Sequence, residues 1–467
     1  MTFTEKAQRT AVSAALRPLL GYAAKDTDKH LPKMANRVTK MFGRVFPAKA
    51  MTAFRNGAND PENTWNRFAA TVLRETDPEF LRKLLLSLGL GIYNGTKLVR
   101  ANREKYKCNI PFQILFDPTS ACNLRCKGCW AAEYDKHERL SFEEMDSIVT
   151  QASDLGTRVF MITGGEPLIC KKELMQIAEK HNNCTFLIYT NATLIDEALV
   201  LKTKELGNVV FAISLEGFEN ENDARRGAGA FKRSMEAIAL LQKHRILFGL
   251  SICYTSANLE TVTSDAFLDY VIEQGARFIF YFHYMPVGAN AVTDLLPSAH
   301  QRERMYRWLR KVRAGKGGKP IFVMDFQNDG EYVGGCIAGG RNYFHINSAG
   351  DMEPCVFVHY SDSNIREHTI IEALKRPLFQ AYYKGQPFND NHLRPCPLLE
   401  NPNALREVIG ATGAVSTDPC APESVESLCS KCDRYAEHWK PVAQRIWETS
   451  PHPTPKTQYY RDERKEA

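Results

Sequence analysis

The chain has 467 residues, 44% of them hydrophobic and 24% charged, with a formal net charge of +6. At roughly 100–200 residues per domain this is a globular chain of two or three domains. Its start, "MTFTEKAQRT", carries no apolar signal-peptide core, and no apolar run reaches the roughly 18–20 residues of a membrane span, so a cytoplasmic protein is expected. Thirteen cysteines in a reducing compartment point to metal binding or catalysis before disulfides.

Taken in chain order, residues 1–107 form a separate basic module, with 20 Lys and Arg against 9 Asp and Glu. The other 360 residues carry 40 against 45. Stretches such as "TEKAQRTAVSAALRPLLGYA" (4–23) and "DPEFLRKLLLSLGLGIYNGTKLVRANREK" (77–105) place apolar and basic residues at helical spacing. The module reads as a basic helical N-terminal extension. A solvated helical cap is one use for it. A surface for an anionic membrane, which would make the protein peripheral to the membrane, or for an acidic partner is the other. Nothing in the sequence suggests nucleic-acid binding.

From about residue 111 short apolar runs alternate with amphipathic helical ones. "FQILFD" (112–117), "RVFMITGG" (158–165), "TFLIYTN" (185–191), "VVFAISLEG" (209–217), "LFGLSICYT" (247–255) and "RFIFYFHYMP" (277–286) read as strands. "SFEEMDSIVTQASDLG" (141–156), "KKELMQIAEKHN" (171–182) and "SAHQRERMYRWLRKVRAG" (298–315) read as helices, the first with Ser141 and Glu144 placed as a capping box. Six strands each followed by a helix predict a parallel sheet with right-handed crossovers. The fold class is α/β, a partial (β/α)6 TIM barrel over residues 108–330. The rhythm breaks at "AGKGGKP" (314–320). Residues 331–447 are read as a small cysteine-rich C-terminal domain and 448–467 as a polar tail.

"CNLRCKGCW" (122–130) follows the first strand and spaces three cysteines as C-x3-C-x2-C. Loops after barrel strands build the face on which active sites sit. Cys122, Cys126 and Cys129 can hold three irons of a [4Fe–4S] cube, which leaves the fourth iron open to a small molecule with hard donors. A zinc knuckle completed by a distant ligand is the competing reading.

This loop resembles the signature of the radical SAM superfamily, and further segments fall in that family's order. "TGGEP" (163–167), "YTNAT" (189–193) and "SLEG" (214–217) end the second, third and fourth strands, "DARRGAG" (223–229) comes next, and "YMPVG" (284–288) follows the sixth strand. The resemblance covers about residues 108–330. It implies a [4Fe–4S] cluster and S-adenosylmethionine as cofactors, with Gly164, Gly165, Glu166, Pro167, Asn191, Ser214, Glu216 and Arg225 toward the latter. It also implies reductive cleavage to a 5′-deoxyadenosyl radical for C–H abstraction, fed by an electron donor such as flavodoxin or ferredoxin. The sequence departs from the family at Gly128, where an aromatic residue is frequent, and Trp130 is the candidate stand-in near the adenine.

"CIAGGRNYFHINSAGDMEPC" (336–355) has the form C-x13-G-x4-C, and "CSKC" (429–432) lies downstream. This is similar to the auxiliary-cluster domains called SPASM and twitch, and implies one auxiliary [4Fe–4S] cluster on Cys336, Cys355, Cys429 and Cys432. Cys396 or Cys420 could replace one of the four, and structural zinc is a further alternative. Cys170, Cys184 and Cys253 read as packed residues, and Cys108 precedes the barrel with no partner spacing. Tyr254, Tyr281 and His283 point into or flank the barrel and read as packing residues, with substrate contact as the alternative. No acid–base catalytic residue is assigned. The function expected is that of a radical SAM enzyme acting on an unidentified lipid or small molecule. The alternatives are a peptide-modifying maturase and a non-catalytic zinc or iron–sulfur protein.

Overall fold

The computed structural model describes residues 3–42, 52, 55–132, 135–289 and 291–450. Seven parallel strands follow one another across a single sheet: β1 (Gln113–Phe116), β2 (Val159–Ile162), β3 (Thr185–Thr190), β4 (Val209–Ser214), β5 (Phe248–Tyr254), β6 (Phe278–His283) and β7 (Phe322–Asp325). The sequence predicted six. The seventh is the short "FVMD" directly behind a Gly- and Lys-rich loop, and four residues are too few to register a period. It pairs with β6 in parallel, Phe280 opposite Met324.

The sheet does not end at β1. β8 (His345–Ile346) adds to it in parallel, Leu115 opposite His345, and β9 (Met352–Glu353) follows antiparallel. The cysteine-rich C-terminal region is therefore hydrogen-bonded to the strand that precedes the cysteine loop. β10 (Tyr360–Ser361) and β11 (Val415–Ser416) form a separate antiparallel pair. The last helix, Val425–Thr449, carries Cys429 and Cys432. The polar tail expected over 448–467 lies, from residue 451 on, outside the described residues.

Local signals explain the helices around the barrel. Ser141 accepts from the Glu144 amide while the Glu144 carboxylate accepts from Ser141, and Gly156 closes the same helix, Phe142–Leu155, at φ 112°. A second capping box, Ser298 with Gln301, opens Ala299–Val312. Both helices bury their apolar stripe against the sheet in one continuous core.

The N-terminal extension is helical over Phe3–Lys25, Thr27–Phe42, Thr64–Glu75, Pro78–Leu84 and Gly91–Tyr106, with a π-helical turn at Leu85–Leu90. It has a small core of its own, built on Leu20, Leu31, Ala35 and Leu81. It contacts the loops that lead into the strands. Arg9 donates to the Asn182 carbonyl (2.9 Å), Arg67 to the Gly318 carbonyl (3.0 Å), and the Asp77 amide to the Arg245 carbonyl (2.8 Å). Gly95 crosses Gly156 so closely that a Cβ would lie 2.2 Å from the Gly156 carbonyl oxygen. The extension thus covers the end of the barrel opposite the cysteine loop. No helix among the described residues is long and apolar enough to cross a membrane.

Candidate functional site

One cavity lies at the C-terminal ends of the strands, and it gathers both cysteine regions. Cys122, Cys126 and Cys129 line it from the loop after β1, and Cys336, Cys355 and Cys396 from the C-terminal region. Gly164, Gly165, Glu166, Asn191, Ser214, Arg225 and Trp130 also reach its wall. Pro167 lies just behind, where it starts a short 3-10 turn.

The "TGGEP" glycines have a structural reason. The Gly165 amide donates to the Thr119 carbonyl (2.9 Å) and the Glu166 amide to the Ala121 carbonyl (2.8 Å). A Cβ on Gly165 would stand 2.1 Å from the Ala121 oxygen, and one on Gly164, at φ 114°, 2.5 Å from the Thr119 oxygen. The segment therefore clamps the backbone that leads into Cys122. Glu166 is buried, and its carboxylate accepts from Thr190 Oγ1 (2.6 Å), the Asn191 amide (2.8 Å) and the Leu168 amide (3.0 Å). It ties the loop after β2 to the loop after β3. Asn191 continues the brace by donating to Asn123 Oδ1 (2.8 Å), inside the cysteine loop.

Glu216, proposed from the sequence as a ligand contact, is fully buried and does not reach the cavity wall. Its carboxylate accepts from Arg225 (2.5 Å), from Arg226 Nε (3.0 Å) and from the Cys253 amide (3.1 Å). Burial works against the charge of both arginines, and Glu216 outweighs it. Both guanidinium groups line the cavity. Arg225 Nε is buried with no hydrogen-bond partner, an unused donor at the wall.

Gly128 sits at φ 66°, and a Cβ there would press within 2.8 Å of the Tyr284 ring and 2.9 Å of Leu295. Tyr284 occupies the space beside the loop, so Gly128 has a packing reason. Trp130, the candidate stand-in, lines the same cavity. Its ring meets His345, Phe357 and His359 edge-on at 5.9, 6.5 and 6.0 Å, which directs it to the C-terminal region.

Burial pushes the Cys122 thiol up to about 11 and raises Cys126, which has Arg226 Nη1 3.9 Å from its sulfur. Three half-buried thiols gathered in one loop suit a group that brings positive charge, as an iron–sulfur cluster does. The donor set, the glycine clamp and the free Arg225 Nε fit the cluster and S-adenosylmethionine. Among the described residues no three His, Cys, Asp or Glu side chains are gathered tightly enough to enclose a single ion.

In the C-terminal region five cysteines share one packed cluster: Cys336, Cys355, Cys396, Cys429 and Cys432. Burial raises them all, Cys336 to about 11 and Cys355 and Cys429 to about 12. Arg341 holds the Cys336 loop by donating to the Cys336 carbonyl (2.6 Å) and the Gly334 carbonyl (3.0 Å). Cys420 is exposed and stands apart from this cluster.

Sequence reasoning missed several cavity residues. Cys253, read as core, lines the wall beside Arg225, and burial lifts its thiol to about 11. Tyr189, Tyr284, Arg226 and Gln327 line it too. His283 is on the wall and buried. Its Nδ1 donates to the Tyr284 carbonyl (2.7 Å), so Nε2 accepts from the Tyr435 hydroxyl (2.8 Å). The inward alternation of β3 and β5 could have flagged Tyr189 and Cys253. His283 is the last residue of β6, and no local signal foretells its partner 152 positions away.

Residues 116–268 match the model of the radical SAM superfamily. The chain is 29% identical to the Fe-coproporphyrin III synthase of Methanosarcina barkeri over 47% of its own length and 57% of that protein. It is 25% identical to the AdoMet-dependent heme synthase of the same organism, over 56% of its own length and 82% of that protein. It is 30% identical to the sporulation killing factor maturation protein SkfB of Bacillus subtilis, over 53% and 60%. The chain thus spans somewhat over half the length of the first and third of these relatives. Among solved structures, Streptococcus suis SuiB bound to the precursor peptide SuiA overlays with a TM-score of 0.51 at 19% identity, covering 62% of this chain and 70% of that one. This likeness concerns the fold alone. Residues 116–268, about a third of the chain, are thus similar to the radical SAM superfamily.

Proposed function

We propose that Cys122, Cys126 and Cys129 hold a [4Fe–4S] cluster and that Gly164, Gly165, Asn191, Ser214 and Arg225 face S-adenosylmethionine beside it. The observation that carries this is the convergence of the three cysteines, the strand-end segments and the unpartnered Arg225 Nε on one cavity. When bound, the pair supplies one-electron chemistry and hydrogen-atom abstraction from a C–H bond. The protein's own residues do the rest. Glu216 fixes both arginines, Glu166 locks two loops together, and Asn191 braces the cysteine loop. The apolar wall formed by Leu115, Met161, Phe282 and Met285 keeps water away from reactive species.

A second cluster is assigned to the C-terminal region. Cys336, Cys355 and Cys396 face the shared cavity, and Cys429 or Cys432, one helical turn apart, supplies the fourth thiolate. Cys396 joins the set because it lines the same cavity as Cys336 and Cys355, whereas Cys420 is exposed. The enzyme needs a reductant such as flavodoxin or ferredoxin. The basic N-terminal extension remains the candidate surface for an acidic partner or anionic membrane. The substrate is a small molecule or lipid; the second reading, modification of a peptide, is favoured by the identity to SkfB.

Anaerobic incubation with dithionite and S-adenosylmethionine tests the reading. It requires 5′-deoxyadenosine from reconstituted protein and none from Cys126→Ala. Iron near about eight per chain is expected for two [4Fe–4S] clusters. Zinc without sulfide would overturn it.

A further inference from the structure

The residues that bring the strands to the cavity wall include Leu115, Met161, Tyr189, Ser251, Cys253 and Phe282. Side chains alternate along a strand, so these define the inner face of the barrel. The register extends that face downward: Cys253 lies beside Phe282, Ser251 beside Phe280, Phe280 beside Met324, and Phe278 beside Phe322. β6 and β7 therefore turn Phe278, Phe280, Phe282, Phe322 and Met324 inward, and Phe326 continues the row. The alternate residues Ile279, Tyr281, Val323 and Asp325 are buried on the other side. Opposite the rings, β4 and β5 present Ala212, Ser214, Gly249 and Ser251. A Cβ on Gly249 would lie 2.3 Å from the Phe278 ring, so the small side chain is what makes room there.

The rings form a continuous ladder. Phe282 and Phe326 stack at 4.6 Å and 12°. Phe280 lies 6.2 Å from Phe326, 6.3 Å from Tyr189, 4.9 Å from Phe278 and 6.5 Å from Phe322. The ladder begins on the cavity wall and ends at Phe322, 38% exposed on the outermost strand of the barrel. In a filled barrel such side chains close into packed layers. Here Tyr189, Phe278, Phe280, Phe282 and Phe326 are all only half-buried. The upper part of the lumen, where Tyr189, Phe282 and Phe326 line the cavity, is a trough that these side chains do not fill. No inward position of β1 to β7 is Asp, Glu, Lys, Arg or His. Half-exposed aromatic surface gains from being covered by apolar matter, whereas a charge placed there would find no partner.

We propose that this trough takes an uncharged, apolar moiety of the substrate, hydrocarbon or aryl. The inference rests on the cavity being the site of radical chemistry, and it gives that chemistry C–H bonds without neighbouring charge.

The probe is N-phenyl-1-naphthylamine, a neutral aryl dye that brightens in apolar surroundings, titrated into the full-length protein. Saturable binding at one site per chain, displaced by 1-decanol, is expected. Ser251→Phe, which fills the trough, and Phe280→Gln should each weaken it by about tenfold or more, the loss that removal of one buried ring contact brings. Leu201→Ser, on the outer surface, should bind as the parent does. Phe322→Gln, at the exposed end, gives a milder reading of a few-fold should the inner variants fail to fold. Non-saturable binding, or equal affinity in parent, Ser251→Phe and Phe322→Gln, would overturn the proposal. Formation of 5′-deoxyadenosine is read separately in the parent protein. Its absence with dye binding intact sinks the enzyme reading and not the trough; the reverse result sinks the trough alone.

Discussion

Arg302 and Glu400 form an ion pair at 2.5 Å with both side chains completely buried, and the second Glu400 oxygen accepts from the Cys396 amide (2.7 Å). Arg302 is held further by the Gln327 and Leu393 carbonyls, both at 3.2 Å, by Asn328 Oδ1 (3.1 Å) and by the Tyr435 hydroxyl (3.1 Å). It lies 4.3 Å over the Trp439 ring. A single guanidinium therefore joins a barrel helix, the loop after β7, the Cys396 loop and the last helix.

Breaking this pair from one side strands a buried charge. Arg302→Met should destabilise the chain by about 3–5 kcal/mol. The double variant Arg302→Met with Glu400→Leu should recover a good part of that, since no uncompensated charge remains. Urea denaturation of the apo-protein measures both. Equal losses in the single and double variants would show that shape, rather than charge, governs the site.

Gly165→Ala drives a Cβ to 2.1 Å from a backbone oxygen that cannot swing away. The expected cost is about 1–3 kcal/mol. Because the displaced backbone leads into Cys122, iron loading should fall along with the melting temperature. Gly410→Ala, where a Cβ meets nothing within 4 Å, serves as the control.

Glu216→Gln should reduce the affinity for S-adenosylmethionine by about tenfold or more, because charge-assisted hydrogen bonds of roughly 1.5–3 kcal/mol each hold the arginines. Equilibrium dialysis under anaerobic conditions reads this directly. An unchanged affinity would mean the arginines hold their places without the carboxylate.

His345 lies between two buried carboxylates, Nε2 3.0 Å from Asp117 and Nδ1 2.6 Å from Glu353. Burial disfavours its charge, and the two acids outweigh it, raising its pKa to about 10. The unfolded value is near 6.5. Its contribution to stability is thus complete below about pH 6.5 and declines as pH rises to about 10. His345→Gln should flatten the stability profile across that window. A parallel decline in parent and variant would assign the pH effect to other groups.

Cys396→Ala should remove the C-terminal cluster and leave about four irons per chain, while Cys420→Ala should leave about eight. Iron and sulfide analysis with electron paramagnetic resonance separates the two. Full loading of Cys396→Ala would return the site to Cys336, Cys355, Cys429 and Cys432.

The barrel was legible wherever one element carries its own signal. Ser141 and Glu144 announced the helix that follows them, and the β-branched and aromatic runs located six strands to within a few residues. The cysteine loop was legible because its spacing is chemistry written locally. What stayed hidden depends on distant partners. Gly128 looked anomalous until Tyr284, 156 positions away by number in "YMPVG", was seen filling the space beside it. Glu216 looked like a ligand contact because the two arginines and the Cys253 amide that absorb it come from other elements. β7 was too short to show a period, and its inward row of rings emerges only from the register with β6.

The pairing of β8 with β1 has a mechanical consequence. Leu115 donates to the Phe344 carbonyl (3.0 Å) and Asp117 to the Ile346 carbonyl (2.9 Å), five residues before Cys122. The two cysteine regions are therefore stitched to opposite edges of one ribbon and share a reference frame. A tug on the segment around 347–351 would be felt at the first cysteine loop before it could open a hinge between the halves, so the two cysteine regions should keep a fixed separation.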